Sequence, residues 1–305
     1  MPKALNPGHA AATIKLVTRL TVGIVDVFAD APLQGNPLAV VEGADALSEE
    51  QMRRIAGEFN QAETTFILSS DCADRKLRSF TAAGAEVFGA GHNALGAWLW
   101  LGERGDLGDL TEPKIFRQEI GDDVLPIELQ VLDNRVHGRM QQAPLRLFEP
   151  LADLQPLAKA LGLEEGDLLA EPPTRPANTG ATHLMVRARS HEDVDKARPN
   201  AEALLEVLKG TPAEGCYLYA FDVGTPDKAY ARFFNPTVGL WEDAATGTAA
   251  GPLSGYLAAE GLAGEVLSIE QGTTMGRRSI LELRPKPNPI LSGAGVVVLI
   301  GTMSI

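Results

Sequence analysis

Only two cysteines, Cys72 and Cys216, occur in 305 residues, far apart and in no C-x-x-C pair. That excludes a disulfide scaffold and a cysteine-held zinc site, and it fits a reducing cytosol. Positive charge is also scarce: 27 Lys and Arg stand against 40 Asp and Glu, a net charge of −13. A general nucleic-acid binder needs a basic footprint to neutralise phosphates, so no nucleic-acid partner is expected. Any anionic substrate must then be held by local donors rather than by the overall field. Long apolar runs are missing. Val296 to Ile300 is far too short to span a bilayer. The first twenty residues carry Lys3, Lys15 and Arg19 and no signal-like apolar core. The chain therefore reads as soluble and cytoplasmic with no membrane partner, and residues 1–20 read as a flexible leader.

Motifs of several enzyme classes are absent too. There is no G-x-x-x-x-G-K-[ST], no G-x-S-x-G and no H-E-x-x-H. The five histidines, His9, His92, His137, His183 and His191, include no pair at metal-ligand spacing, so no metal is expected. Gly89-Ala90-Gly91-His92-Asn93-Ala94 matches G-x-G-x-x-A, but only the stub Val87-Phe88 precedes it and no βαβ unit surrounds it. A nicotinamide-dependent oxidoreductase is thus a weaker alternative, and no cofactor is expected.

What is present is a core: 45% of residues are hydrophobic. Strands are expected over Thr21–Phe28, Leu38–Val41, Glu63–Leu68 and Lys76–Phe80. Ser48-Glu49-Glu50-Gln51 is a capping-box pattern and predicts a helix from Glu49 to Glu58. Leu125–Leu132 and Val136–Gln141 flank Asp133-Asn134 as a hairpin. In the second half the same reading gives strands at His183–Val186, Tyr217–Phe221, Tyr230–Phe234, Leu267–Gln271, Ile280–Leu283 and Val296–Ile300, with a helix over Ala201–Leu208. Two segments, His92–Leu101 and Thr248 to Ala259, are apolar nearly all round, so they predict helices enclosed by protein on every side. Each follows a Gly-rich stretch.

The two halves also repeat. Phe80 and Phe234 are offset by 154, Gly91 and Gly247 by 156. Strands cluster rather than alternate with helices, which disfavours a doubly wound sheet. The expected fold is α+β: two similar domains, each a strand-rich barrel around a central apolar helix. The divisions are 21–148, whose closing edge could include the C-terminal strand, and 149–305.

Gly91-His92 and Gly247-Thr248 each open a helix, where unpaired N–H groups and the helix dipole make an anion seat. They are otherwise ordinary helix entrances. A pseudo-symmetric arrangement would bring both to one cleft. Glu63, just ahead of an apolar strand, is the candidate base if it points into that cleft, or a solvated strand-end residue if not. Asp243 is a second acid or an N-cap, and His92 a donor to substrate or a cap of its own helix. Cys216 reads as core and Cys72 as an inert turn residue.

These residues together resemble the PhzF-like phenazine-biosynthesis isomerase family. The carriers are Val25-Asp26-Val27-Phe28, Gly35-Asn36-Pro37-Leu38-Ala39-Val40-Val41, Asn60-x-x-Glu63-Thr64-Thr65-Phe66 and Gly91-His92-x-x-Leu95-Gly96. Glu242-Asp243-x-Ala245-Thr246-Gly247-Thr248-Ala249, Gln271-Gly272-x-x-Met275-Gly276-Arg277 and Gly293-x-Gly295-x-Val297 complete them. The resemblance implies a diaminopimelate-epimerase-like fold and a cofactor-independent isomerase, often a homodimer, that moves a proton on a small cyclic or amino-acid-like carboxylate. It implies catalytic roles for Glu63, His92 and Asp243, with Glu63 as general acid/base, and places Thr248 against substrate. With the amide-rich helix starts, Gly91, Asn93, Gly247 and Thr248 form the expected substrate-binding set. His92 and Thr248 stand near where the epimerases carry cysteines, so a two-cysteine racemase is disfavoured. Asn93 stands where proline or alanine is usual. A non-catalytic small-carboxylate binder on the same scaffold is the second reading.

Overall fold

A computed structural model describes residues 18–238 and 240–305. Most of the expected leader lies outside the described residues, but its last three positions do not. Thr18 exchanges backbone hydrogen bonds with Ile305, and the first strand opens at Arg19, so a leader ending at residue 20 runs three residues too far.

The first half contains β1 (Arg19–Val27), β2 (Asn36–Glu42), α1 (Glu49–Phe59), β3 (Glu63–Leu68), β4 (Arg75–Thr81), β5 (Glu86–Val87), α2 (His92–Glu103), β6 (Lys114–Ile120), β7 (Asp123–Leu132) and β8 (Arg135–Gln141). The second contains β9 (Arg146–Leu147), α3 (Gln155–Leu161), β10 (Arg175–Asn178), β11 (Thr182–Arg187), α4 (His191–Lys196), α5 (Ala201–Lys209), β12 (Gly215–Ala220), β13 (Lys228–Asn235), β14 (Leu240–Asp243), α6 (Gly247–Ala259), β15 (Leu267–Gln271), β16 (Ser279–Arg284) and β17 (Ile290–Ser304).

Local chemistry accounts for many of these bounds. The Ser48 hydroxyl accepts from the Gln51 amide and the Gln51 side chain accepts from the Ser48 amide, so the capping box starts α1 as expected. Asp133 and Asn134 both take positive φ, 51° and 62°, which is the two-residue turn that suits a twisted hairpin between β7 and β8.

The strands form two rings. In the first, β1–β2, β3–β4, β6–β7, β7–β8, β8–β17 and β17–β1 are antiparallel and β2–β3 and β4–β6 parallel, closing eight strands around α2. Every residue of α2 from His92 to Leu101 is buried, because the barrel surrounds it. Its contact with β1 is so close that a Cβ on Gly23 would lie 2.1 Å from a Trp100 ring carbon. The second ring repeats the alternation: β10–β11 antiparallel, β11–β12 parallel, β12–β13 antiparallel, β13–β15 parallel, then β15–β16 and β16–β17 antiparallel. It wraps α6, of which only Thr248 and Ala259 are not fully buried. Among the described residues no ladder joins β9 to β17, so this ring is open at that seam.

β17 is three times the length expected. Its first residues pair with β16 and β8, and from Gly295 to Ser304 it pairs with β1. One strand therefore begins in the second ring and closes the first. The duplication also reaches side chains. Arg78 grips Glu86 with two hydrogen bonds (2.7 and 2.8 Å) and lies over Phe80; Arg232 grips Glu242 with two (both 2.8 Å) and lies over Phe234.

Candidate functional site

The two central helices meet at their N-termini. A Cβ placed on Gly247 would be 3.9 Å from the Gly91 Cα, and one on Gly91 would be 3.7 Å from Thr248 Cγ2. The same Cβ on Gly247 would come within 2.5 Å of Leu291 Cδ2, so any side chain there would have to displace the end of Leu291. First-turn amides have no intrahelical acceptor, and here two sets of them face one crevice. The Gly89–Gly91 stretch is not a dinucleotide fingerprint: β5 is two residues long and runs antiparallel to β4.

Not all the expected donors are free. The Gly91 N–H donates to Asn93 Oδ1 at 2.8 Å, while Asn93 Nδ2 donates to the Gly89 carbonyl and to Ser79 Oγ. This corrects two expectations. The Gly91 amide is not left for a substrate, and the Asn93 side chain latches its own loop because all three groups on its amide are engaged inside the protein. The backbone amides of His92 and Asn93, and of Gly247 and Thr248 across the crevice, remain as first-turn donors. The Ala249 and Ala250 amides both turn back to the Thr246 carbonyl.

Three titratable groups converge beside these tips. Glu63 is the first residue of β3, and its Oε2 is buried without a hydrogen-bond partner among the described residues. Burial pushes its pKa above the usual carboxylate range; the His92 imidazole pulls it back, and the Asp243 carboxylate pushes it further up. His92, the first residue of α2, is buried, and its Nε2 likewise has no partner among the described residues. Asp243 ends β14. Its Oδ1 accepts from Asn36 Nδ2 and its Oδ2 from Thr246 Oγ1, both at 2.7 Å. Burial raises its pKa as well, against the opposing pull of His92 and the two donors. Gln271 Nε2 donates to the Asp243 carbonyl and to Thr246 Oγ1, bracing the turn into α6.

Thr248 joins the group. Its hydroxyl is 3.4 Å from Nε2 of His183 on β11. Burial lowers the His183 pKa to about 4, so this imidazole is neutral, and it packs edge-on against Phe233. Sequence reasoning passed over His183 and the clamping role of Asn36. A lone histidine in an apolar strand carries no local signal, and Asn36, between Gly35 and Pro37, reads as a turn residue although it is the buried first residue of β2. The structure thus brings Glu63, His92, Asp243, Gly247 and Thr248 to one crevice, with Gly91 and Asn93 shaping its rim. Chemically, the crevice offers two buried carboxyl groups, an imidazole and two sets of helix-tip amides: groups able to move a proton and to stabilise negative charge developing beside it. Cys216 is buried core, and Cys72 lies in an exposed turn.

Known proteins resemble this chain in sequence and in fold. Residues 25–301 match the model of the PhzC-PhzF family, described as phenazine biosynthesis-like protein. The trans-2,3-dihydro-3-hydroxyanthranilate isomerase of Pseudomonas chlororaphis is 33% identical over 291 residues, covering 90% of this chain and 98% of that protein. The crystal structure of a Bacillus anthracis phenazine biosynthesis protein of the PhzF family superposes with a TM-score of 0.82 at 28% identity, over 94% of this chain and 99% of that one. A hydroxyproline epimerase from Agrobacterium vitis, solved with bound trans-4-hydroxy-L-proline, shares the fold alone: TM-score 0.64, 13% identity, 94% and 92% coverage. Among the described residues no helix is long and apolar enough to cross a membrane. The two rings, the paired helix tips and the family match agree: the chain belongs to the PhzC-PhzF phenazine biosynthesis-like family and is an isomerase.

Proposed function

We propose that this isomerase works without a cofactor, with Glu63 taking a proton from carbon in a small cyclic or amino-acid-like carboxylate and returning it elsewhere on the same face. The observation that carries the reading is the buried Glu63 Oε2, without a hydrogen-bond partner among the described residues, beside His92 and Asp243 where the two helix tips meet. A carboxyl whose pKa is raised by burial both accepts and releases a proton readily near neutral pH. A single base returns the proton to the face it came from. His92 and Asp243 orient polar substituents, and the amides of Gly247 and Thr248, with those of His92 and Asn93, hold the carboxylate and the charge that develops beside it. The cytoplasmic setting, which rests on the scarcity of cysteine and of long apolar runs, and the homodimeric state, which rests on the family resemblance, belong to this proposal.

The test is incubation in D2O with trans-2,3-dihydro-3-hydroxyanthranilate, the substrate named for the Pseudomonas relative, alongside a panel of small cyclic and amino-acid carboxylates. Product and deuterium content are followed by NMR. Expected are turnover of at least one compound and a loss of about 10²–10⁴-fold in kcat for Glu63→Gln. Full turnover by that variant would remove Glu63 from the role. A compound that raises the melting temperature but is neither converted nor labelled would instead favour a carboxylate-binding protein.

A further inference from the structure

Glu63 and His92 belong to the first ring and Asp243 to the second, so something must set the distance between them. We infer that Asn36 is a positioning residue that aims the Asp243 carboxylate at Glu63 and His92 by bonding it directly across the two halves. The inference rests on the functional reading above and extends it to a residue outside the crevice triad.

Asn36 is the first residue of β2, is 1% exposed and is separated from Asp243 by 207 positions. Its two amide hydrogens go to Asp243 Oδ1 at 2.7 Å and to the Ala245 carbonyl at 3.0 Å. That pair of acceptors fixes which way the amide faces, since the flipped form would set its oxygen against a carboxylate. On the other side, Thr246 Oγ1 donates to Asp243 Oδ2, so the carboxylate plane is clamped at both oxygens. Thr246 sits three residues from Asp243 and moves with it; among the described residues, Asn36 alone hydrogen-bonds the acid's side chain from the ring that carries Glu63 and His92. The anchor is itself held. Gly35, at φ +68°, donates its amide to the Arg278 carbonyl and accepts from Arg277 Nε.

The test is a double-mutant cycle of Asn36→Ala and Asp243→Asn in the isomerisation assay, read together with an NMR titration. Acting through Asp243, Asn36→Ala should lower kcat about tenfold or more in the wild-type background with KM little changed, and less than about threefold in the Asp243→Asn background. A loss of equal size in both backgrounds would overturn the inference. The second readout needs no substrate. With 13C-labelled aspartate, the Asp243 carboxyl resonance, identified by its disappearance in Asp243→Asn, should titrate at higher pH in Asn36→Ala, because a donor to the charged form is gone. Glu63 on β3, His92 on α2 and Tyr217 on β12 also face Asp243, so the titration is repeated in Glu63→Gln. An unmoved titration would refute the positioning role even if no substrate turns over, whereas a moved titration without turnover would count against the functional reading alone. Asn36→Ser, which keeps a shorter donor, supplies both measurements if the alanine variant does not fold, and should fall between it and the wild type.

Discussion

At the scale of single residues, the site stores free energy that the fold must offset. Glu63 and Asp243 both have pKa values raised chiefly by burial. A carboxyl that binds its proton more tightly folded than unfolded makes stability fall as pH rises from the unfolded value of about 4 through the folded value. Glu63→Gln should therefore be more stable than the wild type at pH 7, on the order of 1 kcal/mol, and the advantage should vanish below about pH 4. Thermal melts across pH 3–8 check this, and an advantage that persists at pH 3 would mean that the gain is not from the charge. Local sequence offered Glu63, His92 and Asp243 as candidates beside ordinary structural roles, and the family resemblance gave them catalytic ones; Glu63, His92, Asp243 and Thr248 do converge. Asn93 shows the limit. Its amide is consumed by Gly89 and Gly91, both within four residues, and by Ser79 on β4, which leaves none of it for a substrate.

Elements were legible where their cause is local. The capping box that begins α1 and the Asp133-Asn134 turn follow from side-chain chemistry within four residues. Replacing Ser48 with Ala should cost about 1 kcal/mol, measured by urea denaturation, without altering turnover because α1 lies outside the crevice. β3 and β15 match their expected bounds because β3 is rich in β-branched and aromatic residues and β15 alternates buried and part-buried positions, each ended by turn residues. β10 and β14 were not foreseen. The first is four residues with a proline, and the second begins in a stretch rich in glycine and leads into the Asp243 turn, so neither carries a period of its own. Both are strands because partners in the sheet supply their hydrogen bonds. β6 was missed for a different reason: polar Gln118 faces inward to Trp98 and apolar Ile115 is exposed, so its hydrophobic pattern does not follow its burial.

On the scale of the whole molecule, the halves are joined by the shared strand β17 and by specific side-chain bridges. Asp26, 1% exposed on β1, accepts from Arg277 at 2.6 Å and from the Leu33 amide. Arg277 also donates to the Gln34 and Gly35 carbonyls. Arg277→Met should destabilise the protein by about 3 kcal/mol, because it strands a buried carboxylate. Chemical denaturation measures it, and Asp26→Asn/Arg277→Met should recover part of the loss; no recovery would mean that the guanidinium matters mainly through the loop carbonyls. Short-range chemistry had already dictated the duplicated α+β plan, the two enclosed helices, the caps and the kinds of residue fit for proton transfer, since periodicity and capping act between near neighbours. Which tips touch, 156 positions apart, and the pairing of Asn36 with Asp243 or Asp26 with Arg277, more than 200 apart, arise only when distant segments pack together. Close packing at that range depends on every intervening strand at once, and so leaves no trace in any one stretch of chain.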